Sequence, residues 1–92
     1  MTSYEFEVAA KNALISVIEH VYGEKYNITE IILVSFSHVL GYKKATLIDT
    51  GNNNRYYEVT YNKEKHEMYV DVYDKVRNVV IPGDNLDYVV HE

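Results

Sequence analysis

Cysteine is absent from the 92 residues, which excludes a disulfide framework and any thiolate metal centre and makes a reducing cytoplasm the natural setting. A long apolar run is absent too. The opening "MTSYEFEVAAKNALISVIEH" carries Glu5, Glu7 and Lys11 inside its apolar pattern, where an export signal needs a basic start and an unbroken apolar core. Neither export nor a membrane span is expected. No glycine-rich phosphate cradle or dinucleotide fingerprint occurs, and the four glycines at 23, 41, 51 and 83 read as punctuation between elements. No cofactor is expected.

Basic excess is the remaining absence. The net charge is -5, unevenly spread. Residues 1–30 hold five acids and two bases, residues 31–57 one acid and three bases, and residues 58–92 eight acids and four bases. Such a balance repels nucleic acid and anionic membrane at long range, so neither is expected as a direct partner and a basic protein is favoured.

What is present is the pattern of one α+β domain spanning 1–92, with an N-terminal helix packed on an antiparallel sheet of about four strands in two layers. Thr2-Ser3-Tyr4-Glu5 is a capping box. Phe6, Ala9, Ala10, Ala13, Leu14, Val17, Ile18 and Val21 repeat with the helical period, and Gly23 closes the helix, predicted over about 3–22. From Ile28 the period becomes two. "ITEIILVSFSHVL" alternates Ile32, Val34, Phe36, His38 and Leu40 against Leu33, Ser35, Ser37 and Val39, predicting a strand over 28–40 with one face buried along much of its length. Further strands are expected at 44–50, 55–62 and 66–73, with a short one at 76–81 stopped by Pro82-Gly83. "LDYVVH" is a last strand or an irregular tail.

A second apolar stripe follows the helix through Tyr4, Val8, Ile15 and Tyr22, placed by a 100° wheel roughly opposite the first. It reads either as scattered surface apolars or as the seam of a homodimer, with Lys11 and Glu19 at its polar edge.

On the third strand, alternation sets Tyr57, Val59 and Tyr61 on one side and Tyr56, Glu58 and Thr60 on the other. On the fourth, Met68, Val70 and Val72 oppose Tyr69, Asp71 and Tyr73. With the valines inward, the outer face shows Tyr56, Glu58, Tyr69, Asp71 and Tyr73. This is either a solvated face stabilised by cross-strand tyrosines or a protein-binding surface, since tyrosine offers a rigid contact area with a polar tip. Single-strand nucleic-acid platforms pair such rings with Lys and Arg; here the neighbours are Glu and Asp.

No catalytic or metal site is expected. His20, His38, His66 and His91 make neither an H-x-H nor an H-E-x-x-H spacing, and His38 reads as a hydrogen-bonded core or rim residue. Ser35, Ser37 and His38 are too close along one strand to form a nucleophile and base. Asp84 and Asp87 in "PGDNLD" lack the calcium-loop pattern. Lys43, Lys44 and Arg55 form the one basic cluster.

Two resemblances accompany this reading. "YYEVTYNKEKHEMYVDVYDKVRNVV" resembles the paired strands of PepSY-type domains, whose hairpin ends in an Asp-Lys turn, here Asp74-Lys75; it implies a PepSY-like or cystatin-like accessory module that binds a peptide or protein. In overall character the short, cysteine-free, acidic, tyrosine-rich chain is similar to phage-encoded host-takeover proteins of the DNA-mimic type, which include inhibitors of the bacterial histone-like protein HU. That resemblance implies a homodimer in the host bacterial cytoplasm that occludes a basic DNA-binding protein, a non-enzymatic role. Acids on one strand face recur about every 6.6 Å and can stand in for phosphates. Glu58, Asp71, Asp74, Asp84 and Asp87 are the candidate contacts, with Tyr56, Tyr69 and Tyr73 beside them.

Overall fold

The computed structural model describes residues 1–51, 55–74 and 82. The strand expected at 76–81, together with Asp84, Asp87 and His91, lies outside them. One helix, α1 (Ser3–Tyr22), precedes a 3-10 turn (Ile28–Glu30) and four strands: β1 (Ile31–Val39), β2 (Tyr42–Asp49), β3 (Arg55–Asn62) and β4 (Glu67–Asp74). The strands form an antiparallel meander in the order β1-β2-β3-β4, with α1 on one face, the two-layer α+β arrangement read from the sequence.

Both helix ends form as local chemistry dictates. The Glu5 amide donates to Thr2 Oγ1 at 3.1 Å and the Thr2 amide donates to Glu5 Oε1 at 2.7 Å, the reciprocal pair of a capping box. These bonds, backbone first, hold the Glu5 carboxyl below its usual range. At the other end Gly23 takes a left-handed φ of 70° and returns its amide to the Glu19 carbonyl at 3.0 Å.

The core lies between α1 and the middle of the sheet. Phe6, Ala10, Leu14 and Ile18, spaced by four, are buried along one helix line, and Ile31, Ala45, Leu47, Tyr57 and Val59 are buried beneath them. α1 packs over β2, β3 and β4, so β1 runs out beyond the helix. That placement overturns the expectation of a strand with a long buried face: only Ile31 of β1 is buried, and Ile32, Val34, Phe36 and Val39 are exposed. The expected alternation fails as well. The pairing register shifts between Leu33 and Ser35, leaving Val34 as an extra residue. Leu33 before this bulge and Phe36 after it both face the helix side, where Leu33 packs on the core and the Phe36 ring lies 5.6 Å from that of Phe6.

A polar cluster closes the end of the sheet near the helix C-terminus. The Tyr57 hydroxyl donates to the buried Asp49 carboxylate, whose other oxygen accepts the Gly51 amide at 2.9 Å. Burial, then the Asp49 bond and charge, push the Tyr57 phenol well above its ordinary value; burial and Asp49 raise Tyr26 in the same way. Arg55, also buried, donates to Glu24 and lies over the Tyr22 ring, 4.3 Å from its centroid. Burial is the largest influence and opposes its charge, but the Glu24 bond and charge together with Tyr57 and Tyr22 outweigh it, and its pKa is raised.

The second helical stripe is unevenly exposed. Ile15 is half-buried against the core and Tyr22 is engaged by Arg55. Tyr4 is 75% exposed, and Val8 is half-buried. Exposure along the stripe is thus greatest at Tyr4 and Tyr22, with Val8 and Ile15 half-buried between them.

Candidate docking face

The sheet face away from α1 is built by strand alternation. Tyr56, Glu58 and Thr60 of β3 stand directly opposite Tyr73, Asp71 and Tyr69 of β4. All five residues expected on an acidic tyrosine face, Tyr56, Glu58, Tyr69, Asp71 and Tyr73, are therefore brought together. Tyr56 and Tyr73 stack with ring centroids 4.8 Å apart and planes inclined by 10°, a cross-strand pair that fixes two rings while leaving each of them more than a third exposed. The Tyr69 hydroxyl donates to Glu67 at 3.4 Å.

Charge on this face is organised in a row across the strands. Lys44 of β2 bonds Glu58 at 2.8 Å, and Glu58 faces Asp71 across β3 and β4. The hydrogen bond and charge of Glu58 raise the Lys44 pKa. Glu58, then desolvation, then Asp71 raise the Tyr73 phenol, so its hydroxyl keeps its proton. Glu58 is thus partly neutralised within the protein, whereas no cation of the described residues bridges Asp71. Asp71, with Glu67 two pleats along the same strand, is therefore an acid this face offers outward.

Beside the acids lies an apolar cleft of about 480 Å³ lined by Ser37, Val39, Leu40, Tyr42, Lys44 and Thr60. Its rim is a two-residue hairpin in which Leu40 and Gly41 both have positive φ, 37° and 86°, the conformation a tight right-twisting hairpin requires. Glycine accepts this freely. Leucine does not, at about 1 kcal/mol, and Leu40 is 94% exposed.

Other expected positions are elsewhere. Asp74 has the parity of Val70 and Val72, on the helix side of the sheet opposite Arg55, so it does not join Glu58 and Asp71. His38 is exposed on that side, lining a cleft of about 190 Å³ with Lys43, Tyr61 and Lys63. His66 Nδ1 lies 3.1 Å from the Tyr61 hydroxyl. Among the described residues no three His, Asp or Glu side chains converge as metal ligands, and no helix is long and apolar enough to cross a membrane. Sequence reasoning missed Leu40, Tyr42 and the Lys44 bridge. The "VLGY" hairpin tip was the available signal for the first two, while the third depends on cross-strand register.

The molecule is thus an α+β two-layer protein with an open, tyrosine-bearing sheet face. The chain belongs to DUF6275, a family of unknown function whose model matches residues 7–83. No curated protein and no solved structure matches it.

Proposed function

We propose that the protein is a non-enzymatic binding module that docks its outer sheet face onto a basic protein and occludes it. The favoured target is a nucleic-acid-binding protein, met in the cytoplasm, a bacterial host's if the chain is phage-encoded. The observation that carries this reading is the row Lys44, Glu58, Asp71 flanked by the stacked pair Tyr56 and Tyr73. Pre-stacked rings offer contact area with little ordering left to do on binding, and Asp71 offers a carboxylate to Arg or Lys. The apolar cleft beside them suits the aliphatic stem or apolar neighbour of such a cation. Nucleic acid is not bound directly in this reading, because acids stand where a base-stacking platform carries cations.

The test is capture from a bacterial lysate on immobilised protein at low and high salt. A basic protein recovered at low salt and released at high salt is expected, because rim and surface charge pairs are screened. Recovery of no basic protein, or recovery indifferent to salt, would overturn the proposal.

A further inference from the structure

The edge strand β1 has a backbone edge that the docking face does not use, although the side chains of Val39 and the adjoining Leu40 also line the docking cleft. Among the described residues it pairs on one side only, with β2, so its other side presents a row of unpaired amides and carbonyls nine residues long. Edges of this kind are normally blunted by lysine, glutamate or proline. Ile31 through Leu40 contain no Asp, Glu, Lys, Arg or Pro, and Ile32, Val34, Phe36, Val39 and Leu40 are exposed, Leu40 in a left-handed conformation that bulky residues avoid. Among the described residues the single protective device at this edge is the bulge at Val34.

We propose that β1 is a self-association edge: two copies pair β1 to β1, antiparallel about a twofold axis, and join their sheets into one of eight strands. An unpaired strand edge calls for another strand, which sets the chemistry of the partner. Charge selects a second copy of this chain. On a protein of net charge -5 most surfaces repel their own kind, but β1 is the long stretch without a formal charge, and a twofold contact must be self-complementary. The opposite edge makes the contrast: β4 carries Glu67, Asp71 and Asp74, so self-pairing there would crowd acids together. Antiparallel pairing brings the exposed Leu40 end of each β1 to the Ile31 end of its counterpart, where Ile28 and Ile32 are exposed. It also leaves both helices on one side of the joined sheet and both tyrosine faces on the other. The inference does not depend on the docking proposal.

Sedimentation equilibrium on the full chain, combined with concentration-dependent hydrogen exchange, tests it. The expected result is twice the chain mass of 10.7 kDa, with the β1 amides that point away from β2 gaining protection as the dimer fills. Val34→Lys, at an exposed site outside the core, should weaken association roughly tenfold or more by placing like charges at the shared edge. A second variant, Val39→Lys, should do the same, and unchanged monomer circular dichroism confirms that each variant folds. A wild-type monomer at all concentrations would overturn the proposal, as would protection at monomer mass of the β1 amides that point away from β2. A dimer indifferent to both lysines would also overturn it.

Discussion

Tyr56 and Tyr57 are neighbours in the chain, yet they do opposite work. Tyr57 is fully buried and donates a hydrogen bond from its hydroxyl to Asp49; Tyr56 is 45% exposed and stacks on Tyr73. The pair shows that a tyrosine-rich composition carries little meaning until strand parity divides it. Inward tyrosine is a core residue with one polar obligation, and outward tyrosine is preassembled contact area. The same division separates Val59 and Val70 from Glu58 and Asp71, and so defines the face on which the proposed function rests.

The comparison can be broken first at the core. Leu14→Ala, beneath the sheet, should destabilise the fold by about 3 kcal/mol through lost burial and the cavity left behind, measured by denaturant unfolding. Tyr57→Phe should cost about 2 kcal/mol because it strips a buried carboxylate of its donor, while Tyr56→Phe should stay within about 0.5 kcal/mol. Equal costs at the two tyrosines would erase the distinction drawn here. Alkali sharpens the same point. A phenol whose folded pKa is raised contributes stability that is fully present below the ordinary value of 10.0 and is lost as pH climbs through the higher folded value. Unfolding midpoints should therefore fall above pH 10, and less steeply in Tyr57→Phe.

Smaller effects belong to the surface. Thr2→Ala should lose about 1 kcal/mol with the helix cap. Because the Glu5 carboxyl is held below its usual value of 4.5, its contribution is present above that value and fades as pH falls through the lower folded one. Glu5→Gln, which removes the titrating carboxyl, should flatten that part of the acid profile. Tyr73→Ala should cost less than about 1 kcal/mol in stability while weakening partner capture, a split that separates a docking residue from a folding one.

Features fixed by near neighbours were legible in the sequence: the Thr2 and Glu5 box, the Gly23 cap, and the alternation of β3 and β4 that sorts Tyr56, Glu58, Tyr69, Asp71 and Tyr73 to one face. Features set by tertiary placement were not. The Val34 bulge shifts parity midway along β1 and turns Val39 to the face away from the helix. The position of α1 over β2 to β4 leaves Phe36 at the margin of the helix layer. The unequal exposure of Ile15 and Tyr22 is not visible on a helical wheel, because a wheel carries no information about the width of the sheet beneath it. Asp74 shares a strand with Asp71, but three residues along β4 reverse its face. The Lys44 bridge to Glu58 depends on the register of β2 against β3, which no local pattern records.

The central claim is that the place of the acids, more than their number, makes the docking face. The direct measurement compares two charge reversals of equal size, Asp71→Lys on the outer face and Glu19→Lys on the exposed side of α1, in capture of the basic partner at low salt. The account predicts about a tenfold loss of affinity for Asp71→Lys, roughly 1.4 kcal/mol, with Glu19→Lys close to wild type. Equal losses in the two variants, or no loss at Asp71, would contradict it.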